Sequence, residues 1–250
     1  MSDISALLGQ IPSIVHGFGT KEALLPVSLQ PYRETLPEKK QVHGLRIVDV
    51  VAPRQACGEA DGFYTETPGI LLTVFTADCL PVIFSRRDGK AVAAVHAGWR
   101  GLRHGILEQM AARINQQGST QDWVAAIGPA AGACCYQVSQ ELVDEFQQGL
   151  ELPAELISPS PRHLDLPAIA HAKLLQAGFA AVDFAGSCTI CTPDPRVTQS
   201  TLHPESALHR ETKGHKYTSF RRNSLKRLQD PSLPGIKGRN QQSGIIILPD

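Results

Sequence analysis

The stretch TVFTADCLPVIF, residues 73–84, places an acid and a thiol between two short apolar runs. Residues 73–75 and 80–84 are rich in Val, Ile and Phe, which is typical of buried β-strands. Asp78 and Cys79 therefore stand at the junction of two predicted strands. A thiol is common in protein cores, but a buried carboxylate without a partner is costly. The aspartate therefore indicates that this junction is part of a site.

Hydrophobic periodicity predicts that strands and helices alternate along the whole chain. Around the opening stretch we expect strands over residues 70–76, 80–85 and 91–96, with Asp88 and Gly89 in the turn before the third. Further elements are helices over 102–116, 139–148 and 167–177, and strands over 123–129, 180–186 and 243–248. No linker-like composition divides the chain. These patterns predict an α/β (mixed α+β) protein whose residues 1–250 form a single domain of mixed β-sheets with flanking helices.

The composition is that of an ordinary globular protein. The chain has 250 residues, 42% of them hydrophobic and 19% charged, which allows a globular core without disulfide bonds. Twenty-four basic residues balance 24 acidic ones, so no general attraction to nucleic acid or an anionic membrane is expected. The first residues do not have the pattern of a secretory signal. The apolar runs are too short to span a membrane. We therefore expect a cytoplasmic protein, and its oligomeric state is left open.

Six cysteines are expected to be thiols or ligands rather than disulfides in a reducing compartment; they are Cys57, Cys79, Cys134, Cys135, Cys188 and Cys191. The adjacent pair Cys134-Cys135 favours a structural role. Cys188 and Cys191 form a C-x-x-C motif with no second pair at zinc-finger spacing, so the sequence does not favour a structural zinc there. Prolines follow the motif and indicate a loop rather than a redox-active helix.

An irregular basic segment is predicted at about residues 193–243. Residues 201–240 contain nine Lys or Arg and three Asp or Glu, an excess of six positive charges. Two interpretations stay open, a solvated loop and an anion-binding flank over an active site.

Three potential metal ligands stand at predicted strand ends: His43 in QVHG, Cys79 in TADC and His96 in VHAGWRG. Strand ends are where ligands collect in α/β proteins. Two imidazoles and one thiolate suit a borderline-soft metal such as zinc, with a fourth position open for chemistry. Alternatively, each is a turn or core residue, because spacing alone does not show that the three converge.

The glycine-rich turn over residues 96–101 is a candidate anion-binding site. Backbone N–H groups at such a strand-to-helix turn suit an anion, and Arg100 would add a charged donor. Trp99 could stack on a base or simply pack in the core.

Five segments occur in a fixed order from about residue 41 onward. They are KQVHG, TADCLPVIF, VHAGWRG, IGPAAGACCYQV and a C-terminal segment that contains TSFRR followed by KGRNQ. Together they resemble the YfiH family, also called the laccase-domain or multicopper polyphenol oxidoreductase family. The resemblance implies metal ligation by His43, Cys79 and His96, with zinc as the metal and copper possible. It also implies a cysteine-hydrolase-like fold. Lys21 stands where the family usually has an arginine, which puts an anion contact there in doubt.

The resemblance also implies activity on purine nucleosides: phosphorolysis of adenosine, inosine and methylthioadenosine, and deamination of adenosine. The partners would be a nucleoside and phosphate. A zinc with an open position suits deamination because it lowers the pKa of a water. Cys79, His96 and Asp78 are the predicted catalytic residues. Asp78 either moves a proton or has a positioning role, in which it caps a turn or orients His43. The predicted phosphate ligands are Arg100, Arg221, Arg222 and Arg239.

Three rival functions remain open from the sequence. Copper-dependent oxidation of phenols follows the family's older name, although multicopper centres need more histidines than the three candidate ligands supply. A Cys79 nucleophile with a His96 base would give an amidase acting on a cell-wall precursor. A zinc-bound, non-enzymatic partner of cell-division or envelope proteins is the third.

Overall fold

The structure, a computed structural model, describes residues 3–195 and 214–249. Its strands are β1 Ile14–Phe18, β2 Glu38–Lys40, β3 Ile47–Asp49, β4 Ala56–Glu59, β5 Gly62–Thr65, β6 Leu72–Thr76, β7 Leu80–Arg86, β8 Val92–Ala97, β9 Trp123–Ile127, β10 Ala181–Phe184 and β11 Gln241–Ile247. Its helices are α1 Trp99–His104, α2 Ile106–Asn115, α3 Gln140–Gly149, α4 Ala154–Ile157, α5 Leu166–Gln176 and α6 Phe220–Gln229. Short 3₁₀ helices cover Leu8–Gln10, Val27–Thr35 and Thr120–Asp122.

The described strands form three sheets. The largest has six strands in the order β10-β9-β7-β8-β5-β3 and mixes parallel with antiparallel pairs. A three-stranded antiparallel sheet has the order β1-β11-β6, so β11 lies between two strands from the first third of the chain. A parallel pair, β2 and β4, completes the set.

The six-stranded sheet is the middle layer of the fold, and its central strand β7 shows why. Val82 and Phe84 belong to the core shared with α2 and α5, whereas Ile83 belongs to the core shared with the three-stranded sheet. Alternate residues of a strand point to opposite faces, so a run that is apolar on both faces must be covered on both. The continuous hydrophobic run that opens the sequence thus explains the layered architecture.

The predicted fold class is confirmed: this is a mixed α/β fold with several sheets and flanking helices. The three predicted strands around Asp78 and the cap of α3 are also present, with the Ser139 hydroxyl accepting from the backbone N–H of Leu142. The organisation of residues 1–250 as one domain stays a prediction.

Two elements differ from the prediction. The helix expected over residues 102–116 is two helices, α1 and α2, because Gly105 adopts a left-handed conformation with φ 99° and ends the first. Part of the segment expected to be irregular is the helix α6, which begins after Ser219 and buries none of its residues. Its apolar residues Phe220, Leu225 and Leu228 are all exposed and form no continuous apolar face. Residues 196–213 of that segment lie outside the described part of the chain. No helix within residues 3–195 and 214–249 has the length and apolarity needed to cross a membrane.

Candidate metal and active site

A cavity of about 510 Å³ opens at one end of the six-stranded sheet. The antiparallel pairing of β7 with β8 sets Pro81 opposite His96. This register brings Cys79, just before β7, beside His96 at the end of β8. The loop between β2 and β3 adds His43, and all three side chains line the cavity. The topology therefore brings together the three candidate ligands that the sequence singled out.

The ligand atoms of His43, Cys79 and His96 all lie within 4.8 Å of one another. Cys79 Sγ is 3.7 Å from His43 Nε2, and the two imidazole rings meet edge to face with centroids 4.7 Å apart. Two imidazoles and a thiol within this distance suit a borderline-soft metal such as zinc, and copper as well. The three residues could therefore hold one ion on the cavity wall.

Asp61, which the sequence analysis missed, connects the two histidines. Its fully buried carboxylate lies 2.7 Å from His96 Nδ1 and accepts backbone N–H groups from Val42, His43 and Gly44 over 2.8–3.1 Å. A carboxylate behind a ligating histidine fixes the ring tautomer and raises its basicity. The same carboxylate also holds the backbone of the His43 loop. The only signal in the sequence was an acid directly before the short run Gly62–Thr65 that forms β5.

The protonation of the site is set by these neighbours. Burial raises the pKa of the Cys79 thiol, but hydrogen bonding with His43 and His96 lowers it more, to about 7. Burial lowers the pKa of His96, but its hydrogen bonds to Asp61 and Cys79 raise it, to about 9. Without a metal, the pair therefore favours a thiolate beside an imidazolium near neutral pH.

Gly98 makes room for the His43 ring. A Cβ on Gly98 would lie 2.6 Å from His43 Cδ2 and 3.4 Å from Cys79 Sγ. The backbone of Gly98, at φ −64°, would itself accept any residue. The glycine of the AGWRG motif is therefore explained by the approach of an imidazole, whereas the anion contact expected from this turn stays a prediction.

Asp78 holds three parts of the chain together. One carboxylate oxygen accepts from the Thr189 hydroxyl over 2.6 Å, and the other accepts from the Ser219 hydroxyl and the Arg221 backbone N–H over 3.0 and 2.7 Å. Asp78 itself has φ 94°, a conformation rarely adopted outside glycine. Of the two predicted roles for Asp78, these bonds favour positioning over proton transfer, which stays a prediction.

The four predicted phosphate ligands separate into two groups. Arg100 and Arg221 line the cavity. Arg222 instead donates to the backbone carbonyls of Thr189, Ile190 and Tyr217, and Arg239 donates to those of Pro234 and Gly235. Neither of the latter two side chains lines the cavity, whereas Arg221 does, although its guanidinium also donates to a backbone carbonyl, that of Gln137. Lys21, which stands in place of the family's arginine, is exposed and also lies outside the cavity lining.

Aromatic rings and amides complete the cavity wall. The lining includes Trp99, Tyr136, Phe75, Phe220, Gln41 and Asn240. The Arg100 guanidinium lies 4.8 Å from the Trp99 ring centroid, and that of Arg221 lies 5.3 Å from the Tyr136 ring centroid. Aromatic faces bearing cations and a few polar groups are suited to a planar, polar ligand. Tyr136 and Asn240 were not singled out by sequence, because a single aromatic or amide carries no pattern.

Comparison with known proteins gives a consistent result. A family model described as multi-copper polyphenol oxidoreductase laccase matches residues 23–195. A Xylella fastidiosa protein named purine nucleoside phosphorylase is 35% identical over 164 residues, which cover 62% of this chain and 62% of that protein. The Escherichia coli protein named purine nucleoside phosphorylase YfiH is 34% identical over 160 residues, covering 62% and 65% of the two chains. These matches span less than two thirds of each relative's length.

Two solved structures share the fold. YlmD from Geobacillus stearothermophilus has a TM-score of 0.71 at 25% identity, with 98% of this chain and 94% of that chain covered. A Neisseria meningitidis protein of the DUF152 family has a TM-score of 0.74 at 23% identity, with 100% and 99% covered. The second is similar in fold alone.

Proposed function

Since this chain belongs to the YfiH family, whose family model is described as a multi-copper polyphenol oxidoreductase laccase, we propose that it cleaves purine nucleosides with phosphate. The observation that carries the proposal is a cavity with three side chains that could hold a metal, two arginines and several aromatic rings on its wall. The names of the relatives support phosphorolysis as the reaction.

We assign the metal to His43, Cys79 and His96, and zinc is the ion that this donor set suits best. When bound, zinc supplies Lewis acidity to groups in the cavity. Asp61 keeps the proton of His96 on Nδ1, because a carboxylate that accepts three backbone N–H groups acts as the acceptor in the fourth contact too. Nε2 of His96 is thereby left free for the ion.

The aromatic rings would bind the purine and the arginines would bind phosphate. Stacking on an aromatic face is available to any purine, and the amides of Gln41 and Asn240 can donate to or accept from its edge. Arg100 and Arg221 supply charged donors for phosphate oxygens. In the reaction, an oxygen of hydrogen phosphate bonds to ribose C1′ as the C1′–N9 bond breaks, and the phosphate proton passes to the departing purine.

Adenosine, inosine and methylthioadenosine are the proposed substrates. Adenosine deamination, in which water replaces the amino group and ammonia leaves, is proposed as a slower second activity. It needs no phosphate, so the two activities can be told apart in one assay.

The test is a nucleoside turnover screen with and without phosphate, using zinc-replete protein. We expect adenosine and phosphate to yield adenine and ribose 1-phosphate, and adenosine alone to yield inosine slowly. If none of the three nucleosides releases its purine in a phosphate-dependent way, the proposal is wrong.

A specific arrangement favours an amidase as the second candidate. Asp61, His96 and Cys79 follow one another in the order of an acid, a base and a thiol nucleophile. A metal on Cys79 would occupy that nucleophile, so the two functions exclude each other in one state. Amide hydrolysis that persists after chelation and stops after alkylation of Cys79 would favour the amidase. Copper-dependent phenol oxidation is the weaker candidate. Multicopper centres need many histidine ligands, and among the described residues the group of His43, Cys79 and His96 is the only potential metal-binding group that contains histidines.

A further inference from the structure

Two cysteine pairs that are far apart in sequence meet beside the cavity. Cys134 and Cys135 follow β9, whereas Cys188 and Cys191 follow β10. The two strands are parallel neighbours at the edge of the six-stranded sheet, so the loops after them leave the sheet side by side. The sulfur atoms of all four cysteines lie within 4.8 Å of one another. The C-x-x-C motif of Cys188 and Cys191 has no second cysteine pair at zinc-finger spacing in the sequence, but the fold places Cys134 and Cys135 beside it.

The geometry points to a second metal site, and we propose that these four cysteines bind a structural zinc ion. In a tetrahedral zinc site with Zn–S bonds of about 2.3 Å, neighbouring sulfur atoms are about 3.8 Å apart. Cys134 Sγ and Cys191 Sγ are 3.6 Å apart, close to that edge length and far from a disulfide bond. Four thiolates with no open position are typical of a structural zinc site rather than a catalytic one.

Backbone donors at Cys188 support the thiolate form that a metal requires. Its Sγ accepts the backbone N–H of Gly132 over 3.3 Å, from the loop that carries the other pair. The backbone N–H groups of Ile190 and Cys191 also donate to this sulfur. Such N–H donors stabilise sulfur carrying negative charge and orient it toward a metal. The C-x-x-C loop is therefore already folded around one ligand.

A half-buried cation nearby would offset part of the charge of the site. Four thiolates and one divalent zinc carry a net charge of −2. The half-buried guanidinium of Arg222 donates to the carbonyls of Thr189 and Ile190, inside the C-x-x-C loop, and interacts electrostatically with Cys188 and Cys191. The same guanidinium also interacts electrostatically with the Asp78 carboxylate, so the cysteine cluster shares this positive charge with Asp78.

The proposed ion would brace one wall of the cavity. Tyr136 follows Cys135 directly and lines the cavity, and Thr189 follows Cys188 and donates to the Asp78 carboxylate. A metal that ties the two loops together thereby fixes the residues next to its ligands. The role is structural, so the prediction concerns metal content and stability first.

The test uses the full chain with Cys79 replaced by Ala, which removes a ligand of the first site and leaves the four-cysteine cluster intact. We expect this variant, purified under reducing conditions, to retain one zinc per chain. After exchange to cobalt(II), it should give the strong thiolate-to-metal charge-transfer absorption of a four-thiolate tetrahedral site. Chelation should lower its Tm.

Matched variants identify the ligands. Cys188→Ser in the same background should lose the ion and the charge-transfer band, whereas Cys57→Ala, which removes a buried thiol outside both clusters, should keep both. Because the readout on the Cys79→Ala chain needs no turnover, it is independent of the proposed phosphorolysis. A Cys79→Ala chain that binds neither zinc nor cobalt would overturn the assignment. So would a disulfide between Cys134 and Cys191 found in protein alkylated at lysis.

Discussion

The Asp61 carboxylate lies 2.7 Å from Nδ1 of His96, in a position where it also holds the backbone of the His43 loop. One buried acid thus fixes the orientation of one predicted metal ligand and the position of another. We expect Asp61 to matter for metal affinity although it does not line the cavity.

Replacing Asp61 by Asn should weaken metal binding by about 10–100-fold, the range typical for loss of a carboxylate behind a ligating histidine. The amide also places donors against backbone N–H groups, so the free energy of unfolding should fall. Competition with a chromogenic chelator measures the affinity. The control is Glu59→Gln nearby, because the exposed pair of Glu59 with Lys40 contributes little. Unchanged affinity in the Asn variant would contradict the role given to Asp61.

Replacing Gly98 by Ala should displace the His43 ring, because the new methyl group would lie 2.6 Å from His43 Cδ2. We expect metal affinity and turnover to fall on the order of tenfold, as for other losses of ligand orientation. Circular dichroism should stay unchanged, because the backbone conformation accepts alanine. Gly118→Ala, with nothing within 4 Å of its added Cβ, is the control and should resemble the unchanged protein. A fully active Gly98→Ala enzyme would argue against a metal role for His43.

Labelling of Cys79 by iodoacetamide should depend on both metal and pH. In chelated protein the thiolate forms as pH rises through about 7, so the labelling rate should rise with a midpoint there. Zinc should slow the reaction because a coordinated thiolate is a poor nucleophile. Peptide mapping by mass spectrometry follows Cys79 separately from the exposed Cys134 and Cys191. Fast labelling in zinc-replete protein would favour the amidase instead.

Removing Arg100 or Arg221 should weaken phosphate binding. A hydrogen bond to a charged group contributes about 1.5–3 kcal/mol, so each Arg→Ala change should raise the KM for phosphate about tenfold or more. Deamination of adenosine uses no phosphate and should be nearly unaffected. Arg87→Ala, an exposed arginine that does not line the cavity, is the control. If both activities fall equally, the arginines act in folding rather than in phosphate binding.

Lys39 should make stability depend on pH. Its ammonium group donates to Thr73 Oγ1 over 3.1 Å and lies above the rings of Phe63 and Phe75. Burial lowers its pKa to about 7. Between that value and the ordinary pKa of about 10.5, the unfolded chain binds more protons than the folded one, so stability should increase as pH rises from 7. Urea unfolding between pH 6.5 and 9 checks this, and Lys39→Met should reduce the slope.

The sequence predicted the strands around Asp78 and Cys79 because each is a short, strongly apolar run. It did not predict α6, because polar residues dominate Phe220–Gln229 and its few apolar residues, all exposed, form no continuous apolar face. Nor did it predict the break at Gly105, since a single glycine inside a helical pattern is often tolerated.

For the site, local motifs identified candidate residues but could not show which ones meet. His43, Cys79 and His96 were found because each stands at a predicted strand end and within a motif that resembles the family. The contact of Asp61 with His96 depends on the long-range pairing of β5 with β8. The meeting of the two cysteine pairs depends on the long-range pairing of β9 with β10. Arg222 and Arg239 have the same local sequence character as Arg221, and only the fold shows that Arg221 lines the cavity whereas the other two do not.

The position of β11 between β1 and β6 has a consequence for how the chain is made. A ribosome delivers β1 and β6 long before residues 241–247, so the nascent chain carries two apolar strands whose partner has not yet been translated. Such edges are prone to aggregate, and pairing over so long a separation is slow. Chaperone protection during synthesis should therefore improve the yield of this protein. Arg221 also emerges late, so the cavity is completed only near the end of translation.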